Sequence, residues 1–235
     1  MEGRELFKYS FKGITNQESN NPETVVEGDI STYTLGDEIG GGTYAKVYRA
    51  VERNSNAIYA CKAIDRSREM NKQEKDSIPF EIELLRTQSH KHIVKFKDSC
   101  HWGSMTYIFT EYINGVTLHV YCQHQNNYLT ETEARHIFRQ TCEAINYLHA
   151  RSIVHRDIKS ENIMITREDD VVKLIDFGLA RDSSSREVLN THCGTRPYMA
   201  PEAALSDESN GYGKWVDIWA LGVLLFRIKL RECRS

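Results

Sequence analysis

Four short runs rich in β-branched and aromatic residues punctuate the first half of the chain, at Tyr33 to Ile39, Lys46 to Val51, Ala57 to Ile64 and Tyr107 to Glu111. Turn residues separate them, so the pattern predicts a small antiparallel sheet. One helix is predicted between these strands: Asp76 and Ser77 suit its cap, Pro79 its first turn, and Ile82, Leu84 and Leu85 its apolar face. After Gly115 the period changes. Thr130-Glu131-Thr132-Glu133 resembles a capped start, and Ala134, Ile137, Phe138, Thr141, Ile145 and Leu148 recur at helical spacing to about Ala150. A second apolar helix is predicted from Trp215 to about Phe226. Between these helices lie short strands and a long loop without periodicity, a kind of segment that often carries function.

Before Tyr33 the pattern vanishes. The stretch Asn16 to Pro22 is polar and would bury almost nothing to offset the entropy of ordering it. Residues 1–32 are therefore expected to form a flexible leader, and residues 33–235 one α+β domain. Its strand-rich lobe is expected over 33–111 and its mainly helical lobe over 112–235. There is no repeat of solenoid or propeller period and no heptad pattern.

Composition narrows this picture. A chain of 235 residues, 40% of them hydrophobic, suits one large domain or two small lobes sharing a core. The formal charge of -3, with both signs interspersed, supplies no basic field for nucleic acid. The six cysteines, at 61, 100, 122, 142, 193 and 233, form no C-x-x-C pair and lie in apolar stretches. That usage favours reduced thiols, hence an intracellular setting, cytoplasmic or nuclear. His90, His92 and His101 do not have the usual spacing of zinc ligands. The longest apolar run, Ile218 to Phe226, is too short to cross a bilayer, and no signal core is seen near the N-terminus, so no membrane insertion is expected.

The chemistry lies in a series of short motifs. Gly40-Gly41-Gly42-Thr43-Tyr44-Ala45-Lys46-Val47 sits between two predicted strands, where bare backbone N–H groups can approach a polyphosphate; taken alone it reads more readily as an ordinary glycine hairpin. Lys62 lies on the following strand, spaced to reach phosphate oxygens, with Glu81 on the first helix available to pair with it. His155-Arg156-Asp157-Ile158-Lys159-Ser160-Glu161-Asn162 compresses a base, cations and a metal-binding amide into one loop. Asp176-Phe177-Gly178 places a carboxylate at a strand end beside a glycine turn, as a magnesium ligand on a nucleotide requires. Ala200-Pro201-Glu202 and Asp217-Ile218-Trp219-Ala220-Leu221-Gly222 follow.

In this order, from about Tyr33 to Phe226, the motifs resemble those of the eukaryotic protein kinase superfamily. The resemblance implies a two-lobed fold using ATP and Mg2+. It assigns the glycine loop (Gly40, Gly41, Gly42), Val47, Ala60, Glu111, Ile113 and Met164 to nucleotide binding, and Thr110 to the gate of a back pocket. Lys62 and Glu81 would form the pair that holds the α and β phosphates, Asp157 would take the acceptor proton, and Asn162 and Asp176 would hold metal. Lys159, in an Asp-x-Lys pattern, is similar to that of serine/threonine members. Phe96, Leu85, His155 and Phe177 resemble the stack joining the lobes. Thr195 resembles the threonine contacting the catalytic loop. Arg156 resembles the arginine that accepts an activation-loop phosphate, which places that phosphate at Thr191 and implies an upstream kinase as a partner besides the protein substrates.

Some positions depart from the family pattern. Ala45 replaces the third glycine of the loop. Thr117 and Arg227 stand where kinases preferring arginine near the acceptor carry glutamate, although Glu161 remains; weakened basic preference is expected. After Phe226 the chain stops where the family continues with further helices, so the expected C-lobe is truncated and the usual arginine partner of Glu202 is absent. This leaves an alternative to the active enzyme, a nucleotide-binding or regulatory interaction module. The stretch Thr191 to Thr195 and the last helix look most like the calcium/calmodulin-dependent group and its checkpoint-kinase relatives.

Overall fold

A computed structural model describes residues 24–42, 45–125, 129–183, 194–205 and 213–229. Thr43 and Tyr44 of the glycine loop, Thr191, most of the expected leader (1–23) and the last residues (230–235) lie outside this set.

The strands are β1 (Thr24–Glu27), β2 (Thr32–Gly41), β3 (Ala45–Glu52), β4 (Ile58–Asp65), β5 (Phe96–Trp102), β6 (Met105–Glu111), β7 (Gly115–Thr117), β8 (Ile153–Val154), β9 (Ile163–Thr166), β10 (Val172–Leu174) and β11 (Arg181–Asp182). The helices are α1 (Lys72–Thr87), α2 (Leu118–His124), α3 (Glu131–His149), α4 (Pro201–Leu205) and α5 (Trp215–Lys229). The first six strands form one antiparallel sheet in the order β1-β2-β3-β4-β6-β5. Two small sheets, β10-β9-β7 and β11-β8, serve the helical part. The fold is α+β, with an antiparallel sheet followed by helices.

Period-two alternation gives the large sheet two uses. Cys61, Ala63, Tyr107 and Phe109 point to one side, where with Val26, Tyr33 and Ala50 they make a closed core. Directly opposed residues share a face, so the pairs Val47–Lys62, Ala60–Thr110 and Lys62–Ile108 put those side chains on the other side. That face looks toward α1 and the helical part, whose core centres on Leu85, Ile145, Leu148, Ile163 and Phe177.

Two sequence expectations need correction. The first helix begins at Lys72, not near Asp76. Asn71 accepts from the Glu74 N–H at 2.9 Å and Glu74 accepts from the Asn71 N–H at 2.9 Å, a reciprocal capping box that satisfies two terminal donors. Pro79 therefore sits inside the helix. Burial of Ile78, Glu81, Ile82, Leu84 and Leu85 holds the helix together despite the lost backbone bond.

The second correction concerns residues 24–27, assigned above to the leader, which pair as β1 against Leu35 to Thr32. Their anchor is Asp98, 1% exposed, which accepts the Tyr33 hydroxyl and the N–H groups of Ile30 and Ser31, each at 3.1 Å. Strand β5 carries this aspartate and is itself absent from the sequence prediction, because its polar Lys97-Asp98-Ser99 masks any alternation. The long helix matches expectation: Thr130 caps α3 and shares a capping box with Glu133.

Candidate active site

Strand β4 and helix α1 bring Lys62 and Glu81 together. Lys62 Nζ donates to both Glu81 carboxylate oxygens, at 2.7 and 2.9 Å, and to Asp176 Oδ1 at 3.0 Å. Burial pulls the ammonium toward neutrality, but the two carboxylates outweigh it and raise the Lys62 pKa. Burial dominates at Glu81, whose pKa is raised although Lys62 opposes the shift. At Asp176 burial also pushes upward, yet Lys62 and the Gly178 N–H hold the carboxyl down at about 2.

The catalytic-loop candidates converge on a second carboxylate. Asp157, 9% exposed, receives four donors on its two oxygens. Asn162 Nδ2 reaches Oδ2 at 2.9 Å, Lys159 Nζ reaches it at 2.6 Å, and the Thr195 hydroxyl and N–H reach Oδ1 at 2.8 and 3.2 Å. Lys159 Nζ also donates to the Thr195 hydroxyl at 2.9 Å, closing the ring.

Behind this loop lies Asp217, fully buried at the start of α5. It accepts the backbone N–H groups of His155 and Arg156 at 2.9 and 2.8 Å, and His149 Nε2 lies 2.7 Å away. The sequence places Asp217 in a motif but assigns it no role; its sole signal is a carboxylate amid an apolar helix. Arg156 takes φ +68°, in the left-handed region, and its Nε donates to the Leu179 carbonyl at 2.6 Å. Gly194, at φ +108°, is required by contact: a Cβ there would come within 2.8 Å of the Arg156 carbonyl. Burial lowers the His155 pKa despite the surrounding carboxylates, so its imidazole packs as a neutral ring, 5.2 Å from that of Phe177.

Backbone pairing places the two metal candidates side by side. Ile175 N–H bonds the Asn162 carbonyl at 3.1 Å, and β9 runs antiparallel to β10 just before Asp176. With the Asn162 amide N–H2 directed at Asp157, its side-chain oxygen and the second Asp176 oxygen are hard donors with no hydrogen-bond partner among the described residues. That set fits magnesium, which takes one or two protein oxygens and completes its shell with phosphates and water. Among the described residues there is no group of three or more His, Cys, Asp or Glu positioned to hold a metal alone.

The remaining nucleotide candidates surround this centre unevenly. Gly40 and Gly42 have open space where a Cβ would stand, and Gly42 N–H bonds the Ala45 carbonyl at 2.9 Å to close the turn. Val47, Ala60 and Thr110 share the cleft face with Lys62, and Met164 lies opposite Thr117 on the small sheet. Ile113 is buried. The N–H of Glu111 is committed to the Lys95 carbonyl, and its carboxylate to Lys173 at 2.7 Å and the Lys95 N–H at 2.9 Å. On the Thr195 side of Asp157 lies a small recess lined by Met199, Ala203, Val216 and Ala220.

The protein kinase domain model matches residues 33–233. The chain belongs to the protein kinase family, serine/threonine type. Among its relatives, human (Homo sapiens) NUAK family SNF1-like kinase 1 is 36% identical over 199 residues, covering 83% of this chain and 29% of that protein. CBL-interacting protein kinase 24 of Oryza sativa subsp. japonica is 35% identical over 199 residues, covering 84% and 43%. Serine/threonine-protein kinase DCLK3 of Mus musculus is 36% identical over 209 residues, covering 87% and 25%. The chain thus spans less than half the length of each of these kinases. No described helix of this kinase domain is long and apolar enough to cross a membrane.

Proposed function

We propose that this kinase domain transfers the γ-phosphoryl group of ATP to serine or threonine hydroxyls of protein substrates. The observation that carries the reading is the closed ring on Asp157: Asn162, Lys159 and Thr195 hold its carboxylate in one orientation, facing the side on which Thr195 borders the recess.

Asp157 orients the acceptor hydroxyl and takes its proton as the oxygen attacks phosphorus. Lys62 binds phosphate oxygens, and Glu81 stops it from wandering, so little reorganisation is needed when charge shifts to the leaving phosphate. Lys159 lies beside both Asp157 and Thr195, where its charge stabilises the transferred group. Magnesium, which Asn162 and Asp176 would hold, supplies charge neutralisation on the phosphates. The glycine turn covers them with backbone donors.

Purified chain given Mg-ATP labelled on the γ-phosphate and mixed Ser/Thr peptides is expected to label the peptides. Asp157→Asn should reduce the rate about 10^2- to 10^4-fold, the usual worth of a positioned base. Labelling that survives in the variant overturns the assignment. An activating phosphate at Thr191, placed by an upstream kinase and received by Arg156, belongs to the same reading; unchanged activity in Thr191→Ala would remove it.

A further inference from the structure

We infer that residues 24–31 are a positioning element for the Lys62–Glu81 pair, backing the strand that carries Lys62 and tying it to the end of the helix that carries Glu81. The inference goes beyond the proposed transfer and rests only on its reading of Lys62 as the phosphate-binding cation.

The segment precedes the matched kinase domain, which begins at Tyr33. Its first half, β1, adds a strand to the edge of β2 and sets Val26 opposite Tyr33. Val26 is fully buried and enters the core on the side of the sheet away from the cleft, which Cys61 and Ala63 share. Those two residues flank Lys62 on β4. Alternation sends Lys62 toward the cleft and its neighbours into that core, so the packing behind Cys61 and Ala63 fixes where Lys62 stands. Tyr33 stacks on Phe109 with ring centroids 3.9 Å apart, and Phe109 is the β6 partner of Cys61. Strand β1 therefore closes the back of the strand pair whose front holds Lys62.

The second half of the segment is a lock. Asp98 on β5 is 1% exposed, and a carboxylate so buried keeps its charge only with donors. Its Oδ2 accepts the N–H groups of Ile30 and Ser31 and the Tyr33 hydroxyl, each at 3.1 Å, and its Oδ1 accepts the Ser99 N–H at 2.8 Å. Beside it the Asp29 N–H donates to the Ser99 carbonyl at 3.1 Å, and Gly28 N–H to the Ser31 carbonyl at 2.7 Å closes the loop. Strands β1 and β5 are the two edges of the sheet. The loop after β1 thus bonds the far edge and wraps the sheet around its core. Only glycine fits at position 28: a Cβ there would overlap Asp98 Oδ2 and come within 2.9 Å of Asp98 Cγ.

The same stretch of β5 receives the last turn of α1. Arg86 Nη2 lies 3.4 Å from Ser99 Oγ and 3.9 Å from Asp29 Oδ2, and its Cζ is 5.5 Å from the Phe96 ring centroid. The ion pair is half-exposed and contributes little alone. Ser99, however, is bonded to Asp98 through its N–H and to Asp29 through its carbonyl, so the end of α1 rests on the locked strand. Glu81 lies on that helix, and both members of the phosphate-holding pair lean on one segment.

Gly28→Ala in the full chain adds one methyl group against Asp98 and should break the lock. Hydrogen exchange should then show the β1 amides opening, and with them those of β4 and α1. The KM for ATP should rise while the KM for peptide holds, and kcat/KM for ATP should fall about 10- to 100-fold, the effect of a small displacement of a catalytic group. A merely structural role would lower the fraction of working enzyme and leave the KM for ATP unchanged. Val26→Ala, a milder change, should move the same quantities in the same direction by less, and carries the test where Gly28→Ala does not fold. Asp98→Asn keeps a side-chain acceptor for Ile30 and Ser31 and should lie nearer the parent than Asp98→Ala. Free exchange of β1 with a parent-like KM for ATP overturns the inference, as does undiminished β1 protection in Gly28→Ala. If the parent labels no peptide, the transfer reading fails separately, and binding of a fluorescent ATP analogue decides. Weaker binding with faster β4 and α1 exchange in the variant then supports the positioning role, and equal values sink it.

Discussion

Removing the Asp217 carboxylate should unlatch the catalytic loop. This side chain is fully buried and accepts two backbone N–H groups, from His155 and Arg156, with His149 Nε2 also at 2.7 Å. In Asp217→Ala both donors lose their acceptor in a place water does not reach. Each unsatisfied buried N–H costs about 1–3 kcal/mol, so the pair costs about 2–6 kcal/mol. The lower half of that range is expected, because neighbouring losses share one relaxation. Even so, about 3 kcal/mol is a large part of the roughly 5–15 kcal/mol that holds a domain folded. Asp217→Asn keeps one carbonyl oxygen but sets an amide N–H2 against the other donor, and should cost less than the alanine change. Both variants should also impair transfer. Arg156 is held at φ +68° next to Asp157, and its release lets the loop relax toward ordinary backbone angles. Urea unfolding followed by far-UV circular dichroism measures the stability, and peptide phosphorylation measures the rate. A loss for Asp217→Ala of no more than about 0.5 kcal/mol, the scale of an exposed substitution, would refute the latch.

Other perturbations separate structure from chemistry at the Lys62 centre. Lys62→Met leaves Glu81, 3% exposed, without its cation and should destabilise the domain by about 3–5 kcal/mol. Adding Glu81→Gln should recover part of that stability and none of the transfer; recovered transfer would contradict the role given to Lys62. Asp176 yields a pH prediction of fixed sign. Its folded pKa, about 2, lies below its ordinary 3.8. Its contribution is therefore present above about pH 4 and is lost as the pH falls toward 2. The contribution is small, because the side chain is 44% exposed. The stability difference between the parent and Asp176→Asn should shrink over that window, and a constant difference would show that the Lys62 contact carries no such energy.

Legibility varied along the chain for physical reasons. Helix α3 was readable because its apolar residues keep helical spacing over five turns and Thr130 and Glu133 announce its start. The beginning of α1 was not, because Asn71 and Asp76-Ser77 are both capping chemistries, and only the bonds between Asn71 and Glu74 decide between them. Strand β1 offers only Val25 and Val26 as an apolar signal; pairing with β2 and the Asp98 anchor make it a strand.

The order and identity of Lys62, Glu81, Asp157, Asn162 and Asp176 belong to the sequence, which pointed to two lobes and a phosphate-transfer chemistry through the resemblance of the whole motif series to protein kinases. The tertiary structure decided that Lys62 meets Glu81 and Asp176 at once, that Thr195 closes on Asp157 across 38 positions of chain, and that Asp217 holds the loop from behind. Side-chain spacing along a strand or helix is local and periodic, and so can be read from the chain. Contacts between distant segments depend on how several elements pack together, and no local pattern encodes their distances.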